Sequence, residues 1–224
     1  MSENKTSAAA GKLIPRLHII TDETVQTRYT HVELTQLACR GGAGAVQYRE
    51  KRSMSTKVLV ATARAMLDAC TASCTLVVDD RADVAVGAGA RAVHLGAQDL
   101  DVATARLIVG AGTLIGGTAN SLDEARSVWQ TDVDYLGVGP IYGTQSKTNP
   151  APDMGLEQLS RICTQCPKPV IAIGSINAAR INEVMHAGAH GVAVLSAVVA
   201  ATDPARATAD CLAEVQAAVK SATN

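Results

Sequence analysis

The sequence predicts a single α/β domain, a (β/α)8 TIM barrel. Eight short β-branched or apolar runs recur along a chain of 224 residues. Amphipathic stretches with helical spacing separate them, and that alternation is the mark of parallel strands joined by helices. Eight such units fill the chain and leave no room for a second domain. A doubly wound open sheet could use the same repeats, but no G-x-G-x-x-G follows the first run. Residues 14–220 are therefore expected to form the barrel. Residues 1–13, MSENKTSAAAGKL, lack an apolar centre and are expected to be a flexible tail rather than a signal peptide.

The strand runs are Leu17–Thr21, Ala45–Arg49, Thr75–Asp79, Ala92–Leu95, Leu114–Thr118, Tyr135–Val138, Val170–Ile173 and Gly191–Leu195. Each is too short for a helix and is apolar enough to be buried on both faces. Between them, Leu59, Ala63, Met66, Leu67 and Cys70 share one helical face. Ile181, Val184, Met185 and Gly188 share another, and Cys211, Leu212, Val215, Ala218 and Val219 stripe the last helix. Thr30-His-Val-Glu33 and Ser121-Leu-Asp-Glu124 have the capping-box pattern, and Asn177 is placed to cap the seventh helix. Gly41, Gly87, Gly110 and Gly188 stand where helices should stop. The segment Gly139–Gly155 is long, polar and rich in Gly and Pro, as a lid would be.

Composition narrows the function. Twenty basic and 21 acidic residues give a net charge of −1, with no Lys/Arg block to attract a nucleic-acid backbone. Aromatic residues make up only 2%, with no Phe, which argues against base-stacking platforms. No apolar run approaches the roughly 20 residues of a membrane span. With 47% hydrophobic and 18% charged residues the chain is expected to be a compact, soluble, cytoplasmic domain. Its six cysteines are read mostly as buried free thiols. Cys163-Thr-Gln-Cys166 has CxxC spacing but lacks the second ligand pair of a zinc site.

Barrel enzymes place their chemistry at the C-terminal strand ends. After the second run, alternation sends Gln47, Arg49 and Lys51 to one side, as a clamp for a phosphorylated ligand. Asp80 and Asp99 follow neighbouring strands and could share one magnesium ion with phosphate oxygens. Asp80 could instead cap the third helix, and Asp99 could begin a turn. Thr118 and Asn120 follow the fifth run, while Thr144, Gln145, Ser146 and Lys147 lie in the lid. Gly174 with Ser175, and Leu195 with Ser196, end the last two strands, where this fold often binds phosphate. The pattern suggests an enzyme that joins two phosphorylated substrates.

VQYREK (46–51), VDDRADVAVGAGARAVHLGAQDL (78–100), DYLGVGPIYGTQSK (134–147), AIGSI (172–176) and VAVLSAV (192–198) together resemble the thiamine phosphate synthase family, in order from Leu17 to Pro204. The resemblance implies a (β/α)8 transferase that couples hydroxymethylpyrimidine diphosphate to thiazole phosphate and releases diphosphate. It implies that Gln47, Tyr48, Arg49, Glu50 and Lys51 hold the pyrimidine diphosphate together with Asp79 and Thr118. It also implies one Mg2+ per site on Asp80 and Asp99. Thr144, Gln145, Ser146, Gly174, Ser175, Leu195 and Ser196 would contact the thiazole phosphate, and Lys147 the diphosphate, so that Arg49, Lys51 and Lys147 carry the catalytic charge. Partners would be two small phosphorylated substrates, with neither nucleic acid nor membrane and with room for a homo-oligomer. Four positions depart from the family pattern: Asp79 replaces a common Asn, Ser146 a Thr, Ser175 the second Gly of AIGG, and Asn120 a His. A thiazole tautomerase-like relative needs an acid–base group in the last region, which Asn does not supply. A Schiff-base aldolase using Lys51 or Lys147 leaves the aspartate pair unexplained. A non-catalytic phosphate-sensing barrel is the reading from another class.

Overall fold

The structure, a computed structural model, describes residues 13–143 and 151–222. The chain runs β1 (Leu17–Thr21), α1 (His31–Arg40), β2 (Ala45–Tyr48), α2 (Thr56–Ala69), β3 (Thr75–Asp79), α3 (Ala82–Ala88), β4 (Ala92–Leu95) and α4 (Val102–Val109). It continues through β5 (Leu114–Ala119), α5 (Leu122–Trp129), β6 (Tyr135–Val138), α6 (Gly155–Gln165), β7 (Val170–Ile173), α7 (Ala178–His186), β8 (Gly191–Val194), α8 (Ser196–Val199) and α9 (Pro204–Ala222). The strands are parallel and close in sequence order, with β8 pairing β1 through Leu17 opposite Val192. The predicted (β/α)8 barrel is the fold, and the open sheet is excluded.

Two-residue alternation sorts the strand side chains into two shells. Val46, Leu76, Val78, Val93, Ile115, Leu136 and Val192 face outward and pack under the helices. Ile20, Ala45, Val77, Ala92, Leu114, Tyr135, Ile171 and Ala193 fill the barrel, and Ile14 packs among them. Small inward residues let eight strands close around a filled interior. Outside, Met66 and Ile181 are fully buried on the predicted helical faces, each worth about 1.5–3 kcal/mol in transfer terms.

The start signals act largely as the spacing suggests. Thr30 and Glu33 form a reciprocal capping box, and Asn177 accepts the Arg180 N–H. Ser121 accepts the Glu124 N–H at 3.2 Å, but the Glu124 carboxylate reaches one residue further back, to the Asn120 N–H at 2.7 Å. The third helix ends at Gly89 rather than Gly87, because Gly89 adopts the left-handed conformation (φ 77°) that closes a helix. Regular pairing in β2 ends at Tyr48 and in β8 at Val194, each one residue earlier than expected, and β5 runs on to Ala119. No described helix is long and apolar enough to cross a membrane.

Candidate active site

A cavity of about 870 Å³ opens at the C-terminal strand ends. Gln47, Arg49, Lys51, Asp79, Asp80 and Thr118 line one side of it, and Gly174, Ser175, Leu195 and Ser196 line the other. These ten predicted residues come together. Tyr48 and Glu50 do not, since alternation turns them to the outside of the barrel. Tyr48 is 3% exposed and packs edge-on against His31, with ring centres 4.7 Å apart. Glu50 accepts bonds from the Arg52 backbone and guanidinium. These two side chains take a supporting position behind β2, outside the cavity lining. Thr144, Gln145, Ser146 and Lys147 lie outside the described residues.

The charged half of the site is built from four carboxylates and two cations. Asp22, just past β1, is fully buried and pairs with Arg49. It also accepts from the Thr24 N–H at 2.7 Å and the Thr24 hydroxyl at 2.6 Å. Sequence reasoning missed Asp22, although its place at a strand end was a usable signal. Lys51 pairs with Asp80 and stands 3.4 Å from Asp79. Partial burial opposes the Lys51 charge, but Asp79 and Asp80 outweigh it and raise the pKa. The Gln47 amide donates to Asp79 Oδ1 at 2.7 Å. Burial, reinforced by Asp80, pushes the Asp79 carboxyl up to about 7 against the pull of Lys51 and Arg49.

Asp80 holds a left-handed backbone (φ 62°) that is unusual for a residue with a Cβ. Its N–H is tied to the His94 carbonyl on β4 at 2.8 Å. The third helix has Arg81 at its N-cap and no side-chain cap bond, so Asp80 is not there to cap it. Asp99 accepts the Gly96 N–H at 2.7 Å, and its carboxyl meets that of Asp80. Burial and the Asp80 charge raise the Asp99 pKa, while the Gly96 N–H lowers it. Crowded carboxylates that outnumber the nearby cations are poor hosts for a polyanion but good hosts for a hard divalent ion. The donor set fits magnesium.

The floor of the cavity was not predicted. His94 Nε2 stands 2.9 Å from the Thr118 hydroxyl, and its Nδ1 stands 3.2 Å from the Tyr135 hydroxyl. Two glycines make room for it. A Cβ on Gly116 would lie 2.4 Å from His94 Nδ1, and one on Gly137 would lie 2.7 Å from His94 Cε1. His18 also lines the cavity and bonds the Pro15 carbonyl at 2.9 Å. Burial pushes its pKa down to about 4.

The opposite half relies on backbone and small side chains. Ser175, at the family's glycine position, has φ 47° and bonds the Gly143 carbonyl at 3.0 Å. Its hydroxyl is thus turned to the base of the lid segment. Asn120 donates its amide to the Gly139 carbonyl at the other side of that base. The Tyr142 hydroxyl donates to Glu183 on α7, and its ring lies under Arg180 at 4.3 Å.

Known proteins match this architecture along nearly its whole length. The family described as thiamine monophosphate synthase (TMP-TENI) matches residues 17–198. The chain belongs to this family. A thiamine-phosphate synthase of Salinibacter ruber is 41% identical over 221 residues, covering 99% of this chain and 97% of the relative. One from Methanoculleus marisnigri is also 41% identical, covering 90% and 97%. The solved structure of a thiamine phosphate pyrophosphorylase from Pyrococcus furiosus superposes with a TM-score of 0.83 at 33% identity, covering 91% and 96%. Membership of the thiamine monophosphate synthase family makes the chain an enzyme of the transferase class.

Proposed function

We propose that the chain is a thiamine-phosphate synthase that joins hydroxymethylpyrimidine diphosphate to thiazole phosphate. The observation that carries this reading is the pairing, in one cavity, of a charge-dense half around Arg49, Lys51 and Asp80, with Asp99 behind Asp80, and an uncharged half at Gly174–Ser175 and Leu195–Ser196. Gln47, Asp79 and Thr118 orient the pyrimidine, and Arg49 and Lys51 face its diphosphate. Asp80 and Asp99 would hold magnesium, which when bound supplies charge neutralisation for the diphosphate. The small residues at the ends of β7 and β8 leave room for the thiazole phosphate, which Thr144, Gln145 and Ser146 would contact, with Lys147 assigned to the diphosphate.

The bond between the pyrimidine methylene carbon and the diphosphate oxygen breaks, and its electron pair departs with the diphosphate. The electron-rich pyrimidine carries the resulting positive charge. The thiazole nitrogen then donates its lone pair to that carbon, forming the new C–N bond. No protein nucleophile is needed. The residues of the chain position the two partners, stabilise developing charge and exclude water. The Asn120 amide, bonded to the Gly139 carbonyl, offers no titrating group for a tautomerase.

The purified chain, given both substrates and magnesium, is expected to form thiamine phosphate and diphosphate in equal amounts, and to stop when magnesium is chelated. A chain that binds each phosphorylated compound but forms no product would replace this reading with a phosphate-sensing barrel.

A further inference from the structure

Three cysteines separated in sequence meet at the end of the barrel opposite the cavity. Cys39 lies in the last turn of α1, Cys70 caps the C-terminus of α2, and Cys74 precedes β3. A short turn, with the Cys74 N–H on the Thr71 carbonyl at 3.0 Å, folds Cys74 back towards Cys70. The three sulfur atoms all lie within 4.8 Å of one another. None of the three is in a disulfide, and Cys39 and Cys70 are only partly buried.

We propose that Cys39, Cys70 and Cys74 form a three-thiolate site for a soft cation of the Cu(I) or Zn(II) type. Thiolate ligands at a bond length of about 2.3 Å place three sulfurs about 4 Å apart around a shared ion, which small side-chain rotations reach from the observed spacing. Soft sulfur donors select soft or borderline cations over the magnesium class, so this site is chemically distinct from Asp80 and Asp99. The C-terminal ends of α1 and α2 both point here, and their partial negative charge favours a cation. Each ligating thiol gives its proton to solvent as its sulfur–metal bond forms, up to three per ion. Three-coordinate binding is complete for Cu(I), whereas Zn(II) takes a water as its fourth ligand.

The reduced full chain, kept anaerobic with excess magnesium, is titrated in one arm with Co(II) and then Zn(II). In the other arm it is titrated with Cu(I) held by a competing chelator. One equivalent is expected in at least one arm. In the Co(II) arm it brings sulfur-to-metal charge-transfer absorption, and in either arm it protects Cys39, Cys70 and Cys74 together from alkylation. Cys74→Ser is expected to weaken binding at least about 100-fold, beyond the cost of losing a ligand's supporting partner. The double variant Cys163→Ser/Cys166→Ser is expected to bind normally. The proposal is overturned if neither arm takes up an ion, if binding persists in Cys74→Ser, or if Cys163 and Cys166 are the protected thiols. Alkylation mapping of the unsubstituted chain decides the matter even where a variant does not fold.

Discussion

The two arcs of the barrel mouth solve different problems. From β1 to β4 the strand ends carry Asp22, Arg49, Lys51, Asp79, Asp80 and, just beyond, Asp99. From β7 to β8 they carry Gly174, Ser175, Leu195 and Ser196, with no ionisable side chain among them. The first arc pairs Arg49 with Asp22 and Lys51 with Asp80, and leaves carboxylates in excess around Asp79, Asp80 and Asp99. The second arc has no charge to desolvate and leaves space for a ligand to approach backbone. A substrate whose bond must ionise suits the first arc, and one that needs only to be held suits the second.

The most damaging way to break the charged arc is to strand one of its members. Arg49→Met leaves Asp22 buried without its cation, and an uncompensated buried charge costs about 3–5 kcal/mol. Urea unfolding should show that loss, and Asp22→Asn/Arg49→Met should recover part of it. Equal stability of Arg49→Met and the parent chain would mean the pair is not holding the arc.

His18, on β1 where the two arcs meet, tests whether the floor between them is electrically silent. Its folded-state pKa, about 4, lies below the ordinary 6.5, so the unfolded chain takes up the proton first. Stability from this residue is complete above about pH 6.5 and is lost as pH falls toward 4, by up to about 3 kcal/mol. His18→Gln should flatten the stability profile across that window. An unchanged slope would assign the acid sensitivity elsewhere.

Asp80→Gly separates chemistry from folding on the charged arc. Turnover should fall by about 100-fold or more through loss of a proposed metal ligand. Stability should stay within about 1 kcal/mol, because glycine relieves the left-handed backbone while the partly exposed Lys51 pair is lost. Normal magnesium-dependent turnover would remove Asp80 from the ligand set. The smallest effect is expected on the uncharged arc. Ser175→Gly restores the family residue at φ 47° but loses the bond to Gly143. These changes oppose each other, so both stability and the KM for the proposed thiazole phosphate substrate should move little, by less than about fivefold in KM, roughly 1 kcal/mol. A larger rise in KM would show that the hydroxyl itself grips the ligand.

Much of this was written locally in the chain. Eight β-branched runs with small residues on one parity specify a closed parallel barrel, because period-two alternation decides which side chains enter a filled interior. The same parity sends Gln47, Arg49 and Lys51 into the cavity, and read strictly it also turns Tyr48 and Glu50 away from it. What the tertiary structure alone decided is which distant ends meet. Closure of β1 beside β2 brings Asp22 onto Arg49, and the glycines of β5 and β6 open a seat for His94 of β4. The packing of α1 against α2 draws Cys39 to Cys70 and Cys74. A strand's pattern encodes its own facing, whereas charge pairing, space-filling and sulfur clustering depend on neighbours that only the closed barrel supplies.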